Sequence, residues 1–170
     1  METGKFILSL LVKNESGVLT RISGLFARRG FNIDSLSVGE TQAFHTSRVT
    51  ILATGDGYVQ EQIVKQLHKL HDVKVVELMD LAQTVIRELM LVKVRAAPET
   101  RSQALDAVTV FRAKVIDLAP DTMTMELTGE KAKLDAFVTF LEPFGIIELC
   151  RTGITAIGRN GYVLTQKEKE

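Results

Sequence analysis

The sequence is poor in the residues that build disulfides, metal centres and stacking surfaces. Its 170 residues include one cysteine, three histidines, three prolines, two tyrosines and no tryptophan. The single thiol, Cys150, cannot form a disulfide within the chain, which suits a reducing compartment and predicts a cytoplasmic protein. With 21 basic and 21 acidic side chains, the formal net charge is zero, so no overall basic field attracts nucleic acid.

Long apolar runs and catalytic motifs are also missing. No hydrophobic run approaches the roughly 20 residues that cross a bilayer as a helix. The apolar stretch 6–12 is short and no small-residue cleavage site follows it, so we expect no signal peptide. There is neither a glycine-rich nucleotide loop nor a local pair of carboxylates suited to acid–base catalysis. No cluster of cysteines or aspartates accompanies the histidines, so we expect no metal site. Cys150 lies beside a predicted strand and is expected to be a buried, inert thiol.

The residues that are present alternate regularly between strand and helix patterns. In the first half, alternating and β-branched segments predict strands at 6–12, 31–38, 47–54 and 73–78. Apolar residues at helical spacing predict helices at about 18–29 and 59–70. The order βαββαβ predicts an α+β fold of the ferredoxin-like type, in which both helices cover one face of an antiparallel sheet. Ile7 and Leu11 make the second face of the first strand apolar too, so we expect both faces to be buried.

The second half repeats this order without obvious sequence identity. Its predicted strands are 88–96, 114–118, 122–128 and 146–149, the last extending through 154–157 after a break at Gly153. Pro98 and Gly129 precede its two helices, the first with Leu105, Val108 and Phe111 on its apolar side. We therefore predict two tandem ferredoxin-like domains, residues 1–80 and residues 81–170. The second ends in a charged tail at 166–170 that is expected to be frayed.

The turn between the first strand and the first helix is the most informative segment. Asn14-Glu15-Ser16-Gly17 ends the strand, and the helix begins at about Val18. The first N–H groups of a helix lack backbone partners and attract a carboxylate, and glycine lets a ligand approach closely. The alternative is an ordinary helix start capped by Ser16, and the residues alone favour this alternative.

Asn32, at the start of the second predicted strand, presents a similar choice. Its side-chain amide offers both a donor and an acceptor, which suits the two charged ends of an amino acid. More commonly, an asparagine at such a position simply adopts the unusual backbone conformation of a turn and binds nothing.

Several strings of the sequence resemble one protein family closely. Three of them are similar to the ACT domain of acetolactate synthase small subunits: N-E-S-G-V-L at 14–19, G-L-F at 24–26 and R-R-G-F-N-I-D-S-L at 28–36. Three more, in the second half, are similar to the same family: R-E-L-M-L-V-K at 87–93, L-D-A-F at 134–137 and R-T-G at 151–153. The resemblance extends over about residues 5–160 and implies that residues 1–80 form an ACT domain, although the loop 39–44 is less typical.

The resemblance implies a non-catalytic regulatory subunit in branched-chain amino acid biosynthesis. Such subunits bind valine or a related branched-chain amino acid, activate a large catalytic subunit and make it subject to feedback inhibition. The large subunit uses thiamine diphosphate, Mg²⁺ and FAD, and no cofactor is expected in this chain. ACT domains of this family form homodimers with the effector at the interface. The resemblance assigns the effector site to the following residues, the last two supplied by the partner subunit: Asn14, Glu15, Ser16, Gly17, Val18, Leu19, Asn32 and Ile33.

Two other classes of function suit the sequence less well. Ferredoxin-like sheets also bind RNA, but the strands of the first domain lack the aromatic pairs on which bases stack. A stand-alone enzyme would need a convergent catalytic set, and the sequence offers none. A nucleic-acid-binding regulator is therefore the alternative interpretation, and we expect neither nucleic acid nor membrane among the partners.

Overall fold

The computed structural model describes residues 3–164 of the chain. The predicted charged tail at 166–170 therefore lies outside the described residues. Contacts within the described range divide it into two units. The first comprises the residues up to Val85 together with those from Ile154 onward, and the second is Ile86–Gly153. Between residues 3 and 164, no helix is both long enough and apolar enough to cross a membrane.

The first unit is built on a four-stranded antiparallel sheet. Its elements follow the order βαββαβ: β1 (Gly4–Lys13), α1 (Val18–Arg28), β2 (Ile33–Glu40), β3 (Thr46–Gly55), α2 (Gly57–Leu67) and β4 (Val73–Leu78). The strands lie in the order β2-β3-β1-β4, and β1 pairs with β3 over its whole length. The ferredoxin-like α+β fold predicted for this half is confirmed.

One face of this sheet packs against both helices. Alternate residues of the two central strands, including Leu8, Leu10 and Ile51, are fully buried there. From α1, Ile22 and Phe26 pack into the same cluster, because residues four apart lie on one side of a helix. Burying a side chain of this size favours folding by about 1.5–3 kcal/mol, so this layer holds the core of the unit.

The second unit repeats the same order of elements. They are β5 (Thr84–Arg95), α3 (Arg101–Phe111), β6 (Lys114–Leu118), β7 (Thr122–Gly129), α4 (Lys131–Leu141) and β8 (Ile146–Arg151). The strands lie in the order β6-β7-β5-β8. Met90 and Met125 of the sheet and Phe137 of α4 are fully buried between the sheet and the helices. The prediction of a second ferredoxin-like βαββαβ arrangement is confirmed as well.

Two side-chain positions in the second unit differ from prediction. α3 buries Ala104 and Ala107, whereas Leu105 is 42% exposed. Because these alanines are small, the helix backbone can lie close to the sheet. The larger Leu105 then points toward solvent. Cys150 is exposed rather than buried, because it belongs to the edge strand β8 and pairs with Leu91 on the sheet face away from the helices.

The sheet face of the first unit that is turned away from its helices is also covered. Ile7 is 2% exposed and Ser9 is fully buried, although both alternate with the helix-facing residues of β1. The cover is formed by residues 154–164, which we call the C-terminal strap. The N–H of Ile154 donates to Ser35 Oγ on β2 at 3.0 Å. At the other end, the Tyr162 hydroxyl donates to the carboxylate of Glu77 on β4. The strap thus crosses the sheet from one edge strand to the other.

The two units differ from the predicted ranges 1–80 and 81–170, because the strap groups with the first unit. The second unit ends at Gly153. The predicted continuation of its last strand after the break at Gly153 is confirmed as β9 (Thr155–Gly158), which pairs with β5, but the contacts of this segment group it with the first unit. The physical reason is the apolar second face of β1. The first sheet buries that face against the returning chain.

Two neighbouring residues of the strap provide a test of this packing. Ala156 is 1% exposed, whereas Ile157 is 54% exposed. We expect Ala156→Asp to lower the free energy of unfolding by about 3 kcal/mol, because it would bury a charge without a partner. The matched variant Ile157→Asp should change stability by no more than about 0.5 kcal/mol. Urea unfolding followed by circular dichroism measures both, and equal stability of the two variants would contradict the packing of the strap.

Candidate functional site

The turn that joins β1 to α1 leaves the start of the helix without a side-chain cap. Gly17 is the N-cap residue, and no side chain accepts a hydrogen bond from the first turn. The alternative in which Ser16 caps the helix is therefore wrong. Gly17 has a φ of 81°, a left-handed conformation that glycine adopts without strain. The Val18 N–H makes a long hydrogen bond, 3.5 Å, to the carbonyl of Glu15. The N–H groups of Leu19 and Thr20, which have no acceptor among the described residues, and the positive end of the helix dipole remain available to an anion.

A cavity of about 100 Å³ lies beside this helix start. Its lining includes four of the predicted effector residues: Asn14, Glu15, Val18 and Leu19. Val12, Ile22 and Val38 extend the lining with aliphatic surface, and Ser47 adds a hydroxyl. A small apolar cavity next to unpaired N–H groups suits a ligand with a carboxylate at one end and a short branched hydrocarbon at the other.

A carboxylate that sequence analysis missed binds Asn14, one of the residues that line the cavity. Asn14 Nδ2 donates to Glu40 Oε1 at 2.7 Å, and the Asn14 N–H donates to the carbonyl of His45 at 3.0 Å. Both Asn14 and Glu40 are exposed, so an ammonium group could reach the Glu40 carboxylate. No signal in the sequence indicated Glu40, because it lies 26 residues from Asn14 at the end of β2.

The buried carboxylate of Asp72 holds the first turn of α1 in place through Arg21. Arg21 donates to Asp72 Oδ2 through Nε at 2.6 Å, and its Nη2 lies 2.6 Å from the same oxygen. His71 Nε2 lies 2.7 Å from Asp72 Oδ1, and Lys13 Nζ lies 3.9 Å from it. The Asp72 side chain is only 2% exposed, so removing its partners would leave a charge buried and unpaired. The cluster ties the helix start to the beginning of β4.

The same cluster puts a cation next to Gly17. A Cβ atom placed on Gly17 would lie 3.1 Å from Arg21 Nη1. The guanidinium therefore lies against the N-cap backbone and adds positive charge near the exposed N–H groups. An anion at the helix start gains from this field as well as from the dipole.

The remaining predicted residues do not line this cavity within one chain. Ser16 and Gly17 shape the turn, whereas Asn32 donates through Nδ2 to Asp34 Oδ1 at 2.8 Å. Ile33 is half-buried against the core. A hydrogen bond from Thr54 is the main cause that lowers the pKa of the Asp34 carboxyl, with Asn32 and Lys5 adding to it and burial opposing it. The contribution of Asn32 and Ile33 from a partner subunit stays a prediction.

The second unit contains a buried ion network formed by residues of the family-like strings. Arg151 donates to both carboxylate oxygens of Glu88, through Nε at 3.0 Å and through Nη2 at 2.6 Å. Its Nη1 donates to Asp135 Oδ1 at 2.7 Å, and Lys131 donates to the other oxygen at 2.5 Å. Hydrogen bonds to Glu88 and Asp135 raise the pKa of the Arg151 guanidinium, and hydrogen bonds from Lys131 and Arg151 lower the pKa of Asp135. Because every charge here has a partner, the network is suited to holding the unit together rather than to binding a ligand.

Comparison with known families gives matches in both units. A family model described as "AHAS small subunit-like ACT domain" matches residues 8–75. A second model, described as "Small subunit of acetolactate synthase", matches residues 87–160. The matched ranges therefore include the helix start of the first unit, the ion network of the second and part of the strap.

Individual relatives are similar over almost the whole chain. A protein of Methanothermobacter thermautotrophicus named "Probable acetolactate synthase small subunit" is 49% identical over 165 residues, which cover 96% of this chain and 98% of the relative. The "Acetolactate synthase small subunit" of Mycobacterium bovis is 48% identical over 153 residues, covering 89% and 90%. The crystal structure of the acetolactate synthase small subunit from Thermotoga maritima superposes with a TM-score of 0.88 at 38% identity, covering 94% of this chain and 99% of the other.

Proposed function

Because the chain belongs to the family of acetolactate synthase small subunits, we propose that it is a non-catalytic regulatory subunit that senses valine or a related branched-chain amino acid. The observation that carries the proposal is the apolar cavity beside the uncapped start of α1. A small subunit implies a catalytic large subunit as its partner, and the sensor would act on that partner.

The groups around the cavity match the three parts of a branched-chain amino acid. The carboxylate would accept hydrogen bonds from the first-turn N–H groups of α1, with Arg21 adding positive charge nearby. The ammonium group would be held by the carboxylate of Glu40 and the amide oxygen of Asn14. The isopropyl group of valine would enter the aliphatic part of the cavity, where Val38 and Val18 lie.

We further propose that two copies of the first unit form a dimer and complete the site. In this arrangement Asn32 and Ile33 of the partner subunit would close the cavity from outside. Leu19 is 43% exposed and Val38 is 49% exposed, so both could bury apolar surface against ligand or partner. Burial of such surface is the main favourable term in association.

The catalytic chemistry would reside wholly in the large subunit. Thiamine diphosphate, Mg²⁺ and FAD are proposed for that subunit and none of them for this chain. In the assembled enzyme of the cytoplasm, the small subunit would raise activity. Binding of valine would favour a less active state, because a ligand shifts an equilibrium only through its different affinities for the two states.

Titration of the purified chain with amino acids tests the proposal directly. We expect valine, leucine and isoleucine to bind in calorimetry, and alanine to bind at least about tenfold more weakly, because it lacks roughly two buried methyl groups. Val38→Thr keeps the shape of the side chain but places a hydroxyl in the cavity. It should weaken valine binding several-fold, for a cost of about 1 kcal/mol.

Val110→Thr, at a position of α3 that is 77% exposed, is the matched control and should bind valine like the parent. Sedimentation equilibrium should give a dimer, and the complex with the catalytic subunit should lose activity when valine is added. If alanine and valine bind equally, or if Val38→Thr is silent, the cavity is not the sensor.

A further inference from the structure

An arginine on the helix-free face of the first sheet has no carboxylate partner within the described part of the chain. Arg48 lies on β3 and pairs in register with Leu11 of β1 and Gly39 of β2. Its Nε donates to Ser9 Oγ at 2.9 Å, and that serine is fully buried. Among residues 3–164 no carboxylate lies within 4.0 Å of the guanidinium, and its two terminal nitrogens have no hydrogen-bond acceptor.

The surroundings of Arg48 make its charge costly. The side chain is half-buried, and burial lowers the pKa of the guanidinium while Glu77 and Tyr162 oppose that effect. The Glu77 carboxylate lies beyond ion-pair distance and accepts a hydrogen bond from the Tyr162 hydroxyl. An arginine remains protonated at every ordinary pH, so positive charge persists here with little compensation.

A cavity of about 400 Å³ opens beside this guanidinium. It lies between the β2–β3 end of the sheet and the strap, and four of its lining residues carry hydroxyl groups: Ser37 on β2, Thr41 just after β2, Thr50 on β3 and Thr155 on β9. The Thr41 hydroxyl already donates to the carbonyl of Thr46 at 2.9 Å. Glu40 also lines it, but the carboxylate of Glu40 accepts a hydrogen bond from Asn14 at 2.7 Å. Arg48 therefore supplies the cation of the lining, and hydroxyls from three separate strands surround it.

We propose that this cavity is an oxyanion-binding site, distinct from the amino-acid site, in which Arg48 binds the carboxylate or phosphate group of a small metabolite. With Nε held by Ser9, the two terminal nitrogens can donate in parallel to two oxygens of such a group, the geometry that a guanidinium favours. The hydroxyls of Thr50 and Thr155 would donate to the remaining oxygens. The site lies on the sheet face opposite the helices and does not include the start of α1, although Val38 and Glu40 at the end of β2 border both sites.

The position of Thr155 gives the site a consequence for the strap. One donor comes from the strap and the others from the sheet, so a bound oxyanion would join the two. Occupancy should therefore stabilise the attachment of residues 154–164 to the sheet, by an amount that grows with the logarithm of the ligand concentration once it exceeds the dissociation constant.

Titrations of the full chain with inorganic phosphate and with acetate, at constant ionic strength set with chloride, test the site. We expect saturable shifts of the backbone amide resonances of Ser37, Thr50 and Thr155. Arg48→Met should weaken binding by roughly 10- to 100-fold, since hydrogen bonds to a charged group are lost. Arg29→Met, which removes an exposed arginine beyond the end of α1, should leave the affinity unchanged.

Two more variants separate loss of the site from loss of the fold. Thr155→Val alters an exposed position without changing its shape, and it should weaken binding several-fold in a chain with an unaltered circular dichroism spectrum. Arg48→Lys should retain the charge but lose the parallel donors, giving intermediate affinity. Tighter binding of phosphate or of acetate identifies the head group. Shifts that do not saturate, or that persist in Arg48→Met, would overturn the proposal.

Discussion

Replacing Gly17 by aspartate should reduce the affinity for valine by roughly a hundredfold, or about 3 kcal/mol. The new carboxylate would occupy the helix start where the carboxylate of the amino acid is proposed to bind. Two like charges at close range in a partly buried place repel by several kcal/mol. A Cβ placed at this position would lie 3.1 Å from Arg21 Nη1. The new carboxylate would therefore also draw the guanidinium away from the ligand.

The control for this experiment is Gly17→Asn, which has nearly the same shape and no charge. The backbone at Gly17 has a φ of 81°, a conformation that asparagine and aspartate tolerate better than other side chains do. Both variants therefore carry similar backbone strain. Calorimetry with valine should show a modest loss for the asparagine variant and a large one for the aspartate variant. Equal losses would mean that the effect is steric, and no loss in Gly17→Asp would remove the helix start from the site.

The second large effect is expected in the ion network of the second unit. Arg151→Met should lower the free energy of unfolding by about 3–5 kcal/mol, since it leaves a buried carboxylate without its partner. The Glu88 side chain is 7% exposed and receives two hydrogen bonds from this single arginine. Hydrogen exchange at amides of β5 and β8 measures the loss locally, and chemical unfolding followed by circular dichroism measures it for the chain.

Two further variants show whether the loss comes from the unpaired charge. Glu88→Gln combined with Arg151→Met should recover part of the stability, because no buried charge then remains. Asp135→Asn should cost less, since Asp135 is 45% exposed. The pKa of Asp135 is lowered in the folded chain. Its contribution is therefore present above the ordinary aspartate pKa of about 3.9 and lost as pH falls through the lower folded value. An Arg151→Met chain as stable as the parent would show that packing alone holds this unit.

Local patterns predicted the order of elements and the turn beside which the candidate amino-acid site lies. The alternation in β1 indicated that both of its faces are buried, and the N-E-S-G string marked the turn at which the cavity is found. The capping alternative with Ser16 was wrong because a left-handed glycine begins the helix instead. On α3, Val108 and Phe111 pack against the core as predicted, but Leu105 is exposed. Alanines match the helical spacing as well as Leu105 does, and only packing decides between them.

The features that the sequence did not indicate all depend on contacts between distant residues. Glu40 meets Asn14 across 26 positions, and Asp72 meets Arg21 across 51. Such pairs have no signature in spacing, because each residue taken alone resembles an ordinary surface charge. The sequence also did not show what covers the apolar second face of β1. The strap that covers it comes only after the whole second unit in the chain.

The strap has a consequence for the order in which the chain folds during synthesis. The N–H of Ile154 and the hydroxyl of Ser35 that it contacts are 119 positions apart. At about 5–20 residues per second of translation, the first sheet emerges from the ribosome several seconds before the segment that covers it. During that interval Ile7 and its neighbours face solvent or a chaperone. The first unit of the chain to be made is therefore the last to be completed, and a ribosome that stalls after the second unit would release a protein with one sheet uncovered.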